Sequence, residues 1–285
     1  MKKIAIIGST GMLGQPVTKA FINAGFEVSL LVRNEDKAKT LFGSNVRIVK
    51  GDIKDAASLK ELLTGQDAVY LNLSVEQSSG VNDFQAEREG LKNILEVSKA
   101  SNIKRVGYLS SLVHFYTGIS WWVLDIKKEA VKNIKQSGLH YSIFYPSTFM
   151  ESFDQGGYRQ GNSINLAGTS KYPMYLIAGS DYGKQVVKAF ENDNGNNEYV
   201  VQGQDGFIVD DAAKLFVDNY KKAKIKVVKL PFGLLKFLGR LTKKFNYAAN
   251  IVDALNNYPE KFEAEKTWQD LGKPQTKFID YIKTA

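Results

Sequence analysis

The chain of 285 residues contains no cysteine, so it can form neither disulfides nor thiolate metal sites, and a reducing compartment suits it. Its two histidines, His114 and His140, stand far apart, which gives no basis for a histidine-built metal site; no metal is expected. No apolar run reaches membrane-spanning length. The basic start, MKKIAIIGST, lacks the long apolar region and small-residue cleavage site of a signal peptide, so a cytoplasmic protein is expected. Zinc-finger, RNA-binding and helix-turn-helix signatures are also missing, and no nucleic-acid partner is expected. The net charge of +8 instead suits a lysine-rich surface, an anionic lipid or a polyphosphate cofactor.

At 44% hydrophobic, the chain has material for a substantial core, in one large domain or one domain with a smaller lobe. Its first half alternates between strand and helix periods. KKIAIIG reads as a buried strand, and QPVTKAFINAG as a helix with Val17, Ala20, Phe21 and Ala24 on one face and Gly25 as its stop. FEVSLLVR, VRIVKGD, DAVYLNLS, RVGYLSS and HYSIFYPSTF supply five further strands. Helices are predicted at NEDKAKTLFG, at DAASLKELLTG with Asp55 as its cap, at DFQAEREGLKNILEVSKASN, and from about Asp125 to Gln136. In the third of these, Phe84, Leu91, Ile94, Leu95 and Ser98 are predicted to face the sheet. The alternation predicts an α/β fold: a Rossmann-type, doubly wound parallel sheet covered on both faces. Residues 1–152 are assigned to it, and a helix near 180–193 is predicted to pack on it. Residues 153–285 are expected to form a smaller C-terminal lobe facing the substrate.

Between the first strand and the first helix stands GSTGMLG, with Gly8, Gly11 and Gly14 in a G-x-x-G-x-x-G pattern. Gly8 lets the strand turn sharply, Gly11 lets a pyrophosphate approach the backbone, and Gly14 lets helix and strand pack closely. The helix N-terminus presents free N–H groups and a positive dipole end to the anion. Ser9, Thr10, Met12 and Leu13 belong to the same cofactor-binding turn. The end of the second strand, LLVRN, carries Arg33 and no carboxylate until Glu35. A guanidinium pairs with a 2′-phosphate in forked geometry, which points to NADP (NADPH in its reduced form) rather than NAD. Asn34 and Lys37 are candidate helpers. Asp52, with Ile53 beside it, stands at the end of the third strand, placed for the adenine amino group or serving as a turn or cap residue.

The stretches GSTGMLG, LVRN, GDIKD, RVGYLSS, KKEAVKNIKQSGLHYSIFYPSTFMESF and TWQDLGKPQTKFIDYIKT resemble an atypical short-chain dehydrogenase/reductase of the NmrA-like NAD(P)-binding family, over nearly the whole chain. The resemblance implies cofactor contacts for Asn72, Leu73 and Ser74 at the end of strand four, and for Ser110 and Ser111 at the end of strand five. It implies a ribose-binding role for Lys127, and a place beneath the nicotinamide for Pro146, Ser147, Thr148 and Phe149. It also implies a reductase, a quinone or sugar-nucleotide enzyme, or a redox sensor that does not turn its cofactor over.

Conventional short-chain dehydrogenases use Tyr-x-x-x-Lys, whose spacing puts both side chains on one helix face and lets the ammonium lower the tyrosine pKa. Here Val123 stands four residues before Lys127, and Leu124 four before Lys128, so the dyad is absent. Tyr145, Tyr116 and Ser111 are the candidate catalytic hydroxyls, with His114 a further proton donor. Tyr116 and Tyr145 read equally as packing aromatics. Trp121 and Trp122 either wall an apolar substrate site or anchor their loop.

The stretch YKKAKIKVVKLPFGLLKFLGRLTKKF holds nine Lys or Arg and no carboxylate. A basic amphipathic helix is predicted over 231–245, with Leu234, Leu235, Leu238, Leu241 and Phe245 on one side. It reads either as a lobe helix closing the substrate pocket or as a membrane-surface contact delivering a lipophilic substrate. The expected function is NADPH-dependent reduction, by hydride transfer, of a small or lipophilic carbonyl, quinone or enone, by a monomer or homodimer. A non-catalytic NADP sensor is the alternative. A nucleotide-sugar epimerase or dehydratase, which would need the missing dyad, comes third.

Overall fold

The structure, a computed structural model, describes residues 2–192 and 195–285. Six strands alternate with helices through the first half: β1 (Lys3–Ile7), α1 (Gly14–Asn23), β2 (Glu27–Val32), α2 (Glu35–Phe42), β3 (Val46–Lys50), α3 (Ala56–Leu63), β4 (Ala68–Leu71), α4 (Leu91–Ala100), β5 (Arg105–Leu109), α5 (Trp122–Lys135) and β6 (His140–Pro146). Beyond them come β7 (Arg159–Gln160), β8 (Ser163–Ala167), β9 (Met174–Tyr175), α6 (Gly179–Glu191), β10 (Asn197–Val201), β11 (Gly206–Phe207), α7 (Val209–Asn219) and β12 (Lys226–Leu230). The chain closes with α8 (Phe232–Gly239), α9 (Lys243–Asn257), α10 (Glu265–Leu271) and α11 (Phe278–Thr284).

The central sheet is parallel throughout, in the order β10-β6-β5-β4-β1-β2-β3. Its direction of winding reverses between β1 and β4, and this is where an open α/β sheet leaves a crevice. The inner strands read as unbroken apolar runs because both faces are covered. One face packs on α1 and α6 through Ile4, Ile6, Val17, Phe21 and Val186; the other packs on α3, α4 and α5 through Ala5, Ile7, Leu62, Leu91 and Ile134. Helix α6 approaches α1 closely at Gly183, where a Cβ would stand 2.9 Å from the Pro16 carbonyl oxygen. Asp55 caps α3 by accepting from the Ala57 and Ser58 N–H groups, and Gly25 ends α1 at φ +77°.

Several sequence expectations need correction. Helix α5 begins at Trp122, not near Asp125, because the Trp121 carbonyl accepts the first helical N–H of Leu124 and the Trp121 ring is buried. The segment before α4 opens as a wide π turn over Ala86–Gly90, and Phe84 lies 36% exposed under Lys54 instead of facing the sheet. The boundary at 152 does not separate the sheet from the lobe. β10 returns to the edge of the central sheet beside β6, and α6 and α10 pack with it. The helix near 180–193 does lie on α1, but position 193 falls outside the described residues. The lobe itself is built from β8, α7 and α11 around Phe153, Phe216 and Phe278.

The single helix expected over 231–245 is two. α8 stops at Gly239, α9 starts at Lys243 with Thr242 as its cap, and the pair folds into a hairpin. Gly239 permits the close turn, since a Cβ there would stand 3.3 Å from Asn246 Cα. Of the five apolar residues predicted to share one covered side, Leu235 is buried, whereas Leu234, Leu241 and Phe245 are exposed.

Candidate active site

The glycine turn folds onto the end of β4. Gly8 has φ +86°, and a Cβ on it would fall on the Asn72 carbonyl oxygen. A Cβ on Gly14 would fall on the Gly8 carbonyl oxygen. These two glycines are therefore demanded by the fold itself. Gly11 differs: a Cβ there would meet nothing closer than the Gly8 oxygen at 3.5 Å, so its bare backbone leaves room for a ligand rather than for the protein. Ser9 is buried with its hydroxyl unpartnered among the described residues, and Thr10 and Met12 are half-exposed along the turn.

Arg33 lies exposed just past β2 and makes no ion pair among the described residues. Asn34 spends its carbonyl oxygen on the cap of α2, accepting from the Lys37 N–H at 2.9 Å, so its helper role is restricted to its amide. Asp52 is similarly occupied by its own loop, accepting from the Lys54 N–H at 3.0 Å. Ile53 is half-buried where Gly90 makes room for it, and its carbonyl accepts from Asn93.

Beside this turn lies a cavity of about 400 Å³ at the C-terminal ends of β4, β5 and β6. It gathers eleven residues singled out from the sequence: Leu13, Asn72, Leu73, Ser74, Ser110, Ser111, Lys127, Pro146, Ser147, Thr148 and Phe149. The Ser110 hydroxyl is buried and has no partner among the described residues.

Lys127 is held from behind. Its ammonium lies 2.8 Å from Glu87 Oε1, and the Tyr108 hydroxyl donates to the same oxygen at 2.5 Å. Glu87 is wholly buried, and its other oxygen has no partner among the described residues. Burial, then the adjacent Glu87 charge, hold the Tyr108 phenol well above the usual range, so this tyrosine stays protonated. Val123, at the place of the missing tyrosine, packs with Trp121 and Leu124 against α9.

The proposed proton donors fare differently. Tyr145 does not line the cavity: its hydroxyl donates to Glu198 on β10 at 2.7 Å, and burial pushes its pKa up. Tyr116 also lies outside it, its ring edge-on to Tyr258 at 6.3 Å. His114 sits between Phe115 and Tyr145; burial, then Lys128, Lys127 and Lys135, lower its pKa to about 4, so it is neutral near pH 7. Ser111 alone among the candidate catalytic hydroxyls borders the cavity. Trp121 anchors its loop, edge-on to Tyr247 at 5.1 Å.

Sequence reasoning missed the far wall. Tyr247, Ile251, Leu255 and Tyr258 close the cavity from α9 and its end. Glu260 faces it too, accepting from Ser147 Oγ at 3.0 Å and Gln202 Nε2 at 2.8 Å. Burial raises the Glu260 pKa against these hydrogen bonds. The period of Tyr247, Ile251, Leu255 and Tyr258 was a usable helical signal, whereas nothing local marks Glu260. Among the described residues lining the cavity, Lys127 is the one cation and Glu260 the one carboxylate.

The glycine turn, the sheet order and the crevice at its switch point agree with a family model that matches residues 1–280. The chain belongs to the NmrA-like family. This NmrA-like protein is 24% identical over 294 residues to a photosystem II assembly factor, Ycf39, of Trieres chinensis, covering 98% of this chain and 91% of that one. It is 26% identical over 152 residues to quinone oxidoreductase 2 of Escherichia coli, covering 53% of this chain and 50% of that one. Its fold matches that of an Escherichia coli NADPH-dependent quinone oxidoreductase complexed with NADPH, with TM-score 0.74, 19% identity and 99% coverage of both chains. It also matches a Citrobacter triphenylmethane reductase complexed with NADP(H), with TM-score 0.75, 17% identity and 99% coverage of both.

Proposed function

We propose that the protein is an NADPH-dependent reductase of a lipophilic acceptor, a quinone above all. The observation that carries this reading is one cavity beside the glycine turn in which Leu13 of that turn, Lys127 and an apolar wall from α9 meet. When bound, NADPH supplies the hydride. The chain's residues fit that cofactor: the open backbone at Gly11 suits its pyrophosphate, and Arg33, without an ion pair among the described residues, suits its 2′-phosphate. Lys127, fixed by Glu87, suits the ribose hydroxyls. The segment Pro146–Phe149 lines the cavity where it would lie beneath the nicotinamide, and the Ser110 hydroxyl, unpartnered among the described residues, would offer a hydrogen bond nearby. The relative named as a quinone oxidoreductase, and the NADPH complex of the same fold, support this assignment.

What surrounds the cavity supports this acceptor class. Of the proton donors expected from the sequence, Tyr145 and Tyr116 lie away from it and His114 is neutral, which leaves Ser111, with the Tyr247 and Tyr258 hydroxyls on the far wall. A quinone needs none of these as an acid, because hydride addition gives a stabilised phenolate that takes its proton from water. The apolar side chains of Ile251 and Leu255 suit its ring.

Titration with NADPH and NADH, read by energy transfer from the tryptophans, followed by quinones and aldehydes, tests the reading. Tighter binding of NADPH and loss of its absorbance with quinones are expected. Tight binding without oxidation by any acceptor favours the sensor instead, a reading supported by Val123 in place of the tyrosine.

A further inference from the structure

We infer that the α8–α9 hairpin is a docking element for a membrane surface rich in anionic lipid. Its turn displays apolar side chains that a water-facing helix pair has no reason to expose together. Leu241 is 65% exposed, Phe237 55%, Leu234 44% and Phe245 42%. Arg240 and Lys244 are exposed among them and make no ion pair among the described residues. Lys243 reaches only the exposed Asp83, at 3.2 Å. No carboxylate occurs anywhere from position 220 to 245.

Lys236 pairs with Asp253 at 3.6 Å, but Arg240 and Lys244 are left without an ion pair among the described residues, and apolar side chains beside such cations match a lipid surface, with negative headgroups above a hydrocarbon interior. A second copy of this chain is the poorer occupant, because joining two such patches would bring like charges together. The position of the hairpin adds a consequence. A groove of about 350 Å³ beside its turn is bounded by Trp121, Trp122 and Tyr247, and Tyr247 also lines the inner cavity. A lipophilic molecule leaving the bilayer at the hairpin would meet this groove on its way to the cavity. That delivery role rests on the reductase reading; the docking does not.

The test is co-sedimentation of the full chain with phosphatidylcholine vesicles, with and without phosphatidylglycerol, across a salt series. Binding to the anionic vesicles that weakens with salt is expected. The paired substitution Phe237→Asp with Phe245→Asp should weaken it at least about tenfold, with thermal unfolding and NADPH affinity retained. Arg240→Gln with Lys244→Gln should weaken it about tenfold. No vesicle binding, equal binding to neutral and anionic vesicles, or binding insensitive to both pairs would overturn the docking. So would a dimer in solution that Phe237→Asp with Phe245→Asp converts to monomer. Vesicle binding by a protein that fails to bind NADPH would leave the docking standing and remove the reductase reading.

Discussion

Lys127 and Glu87 meet at 2.8 Å across the wall of the cavity, the lysine partly open to it and the carboxylate wholly buried. The buried carboxylate fixes the lysine ammonium in one direction. Removing one partner of such a buried pair strands the other charge. Lys127→Met should therefore cost about 3 kcal/mol of stability, read by urea unfolding. Adding Glu87→Gln should recover most of that loss without restoring NADPH affinity. Recovery of affinity in the double variant would mean that Lys127 does not touch the cofactor.

The proposed contact of Arg33 with the 2′-phosphate predicts which dinucleotide binds more tightly. Arg33→Asp should weaken NADPH binding about a hundredfold, because a forked charge pair becomes a repulsion, and leave NADH binding nearly unchanged. Equal losses for both, in a fluorescence titration, would remove the 2′-phosphate assignment.

The three turn glycines should separate by role. Gly14→Ala forces a Cβ onto the Gly8 carbonyl oxygen and should lower stability by about 2 kcal/mol or more. Gly11→Ala meets only ordinary contacts and should change stability by no more than about 0.5 kcal/mol, while weakening NADPH at least tenfold, about 1.4 kcal/mol. Calorimetric melting and cofactor titration of both variants check this directly.

Glu151 ties the lobe to the sheet domain: both its oxygens accept from the Gly179 N–H at the start of α6. Burial raises its pKa from 4.5 to about 7. The unfolded chain therefore releases this proton first, and the native state loses stability as pH rises from about 4.5 to about 7. Glu151→Gln keeps an acceptor for Gly179 and should flatten that part of the profile in pH-dependent urea unfolding. An unchanged slope would mean that the carboxyl ionises normally in the folded protein.

The local code of the first 150 residues was enough for the alternating strands and helices, the Asp55 cap and the glycine turn, because each rests on near neighbours in sequence. The apolar runs of β1, β2, β4 and β5 name themselves as central strands, since only burial on both faces permits them. The edge strand β10 is not legible for the complementary reason: half-buried and polar at its start, NEYVV carries no such run. Residues drawn together by the resemblance, from Asn72 to Phe149, do converge on one cavity.

What only the tertiary structure decided is which side chains look into that cavity. In the sequence nothing claims the Tyr145 hydroxyl; in the fold β10 lies beside β6 and brings Glu198 to it. Glu87 is one polar residue in a charged stretch until the π turn places it behind Lys127. Glu260 reaches Ser147 from 113 positions away. Periodicity reports which face of an element is buried, because that depends on residues three or four apart. The partner of a buried polar group depends instead on chain segments brought together by the whole fold, and no local pattern carries that information.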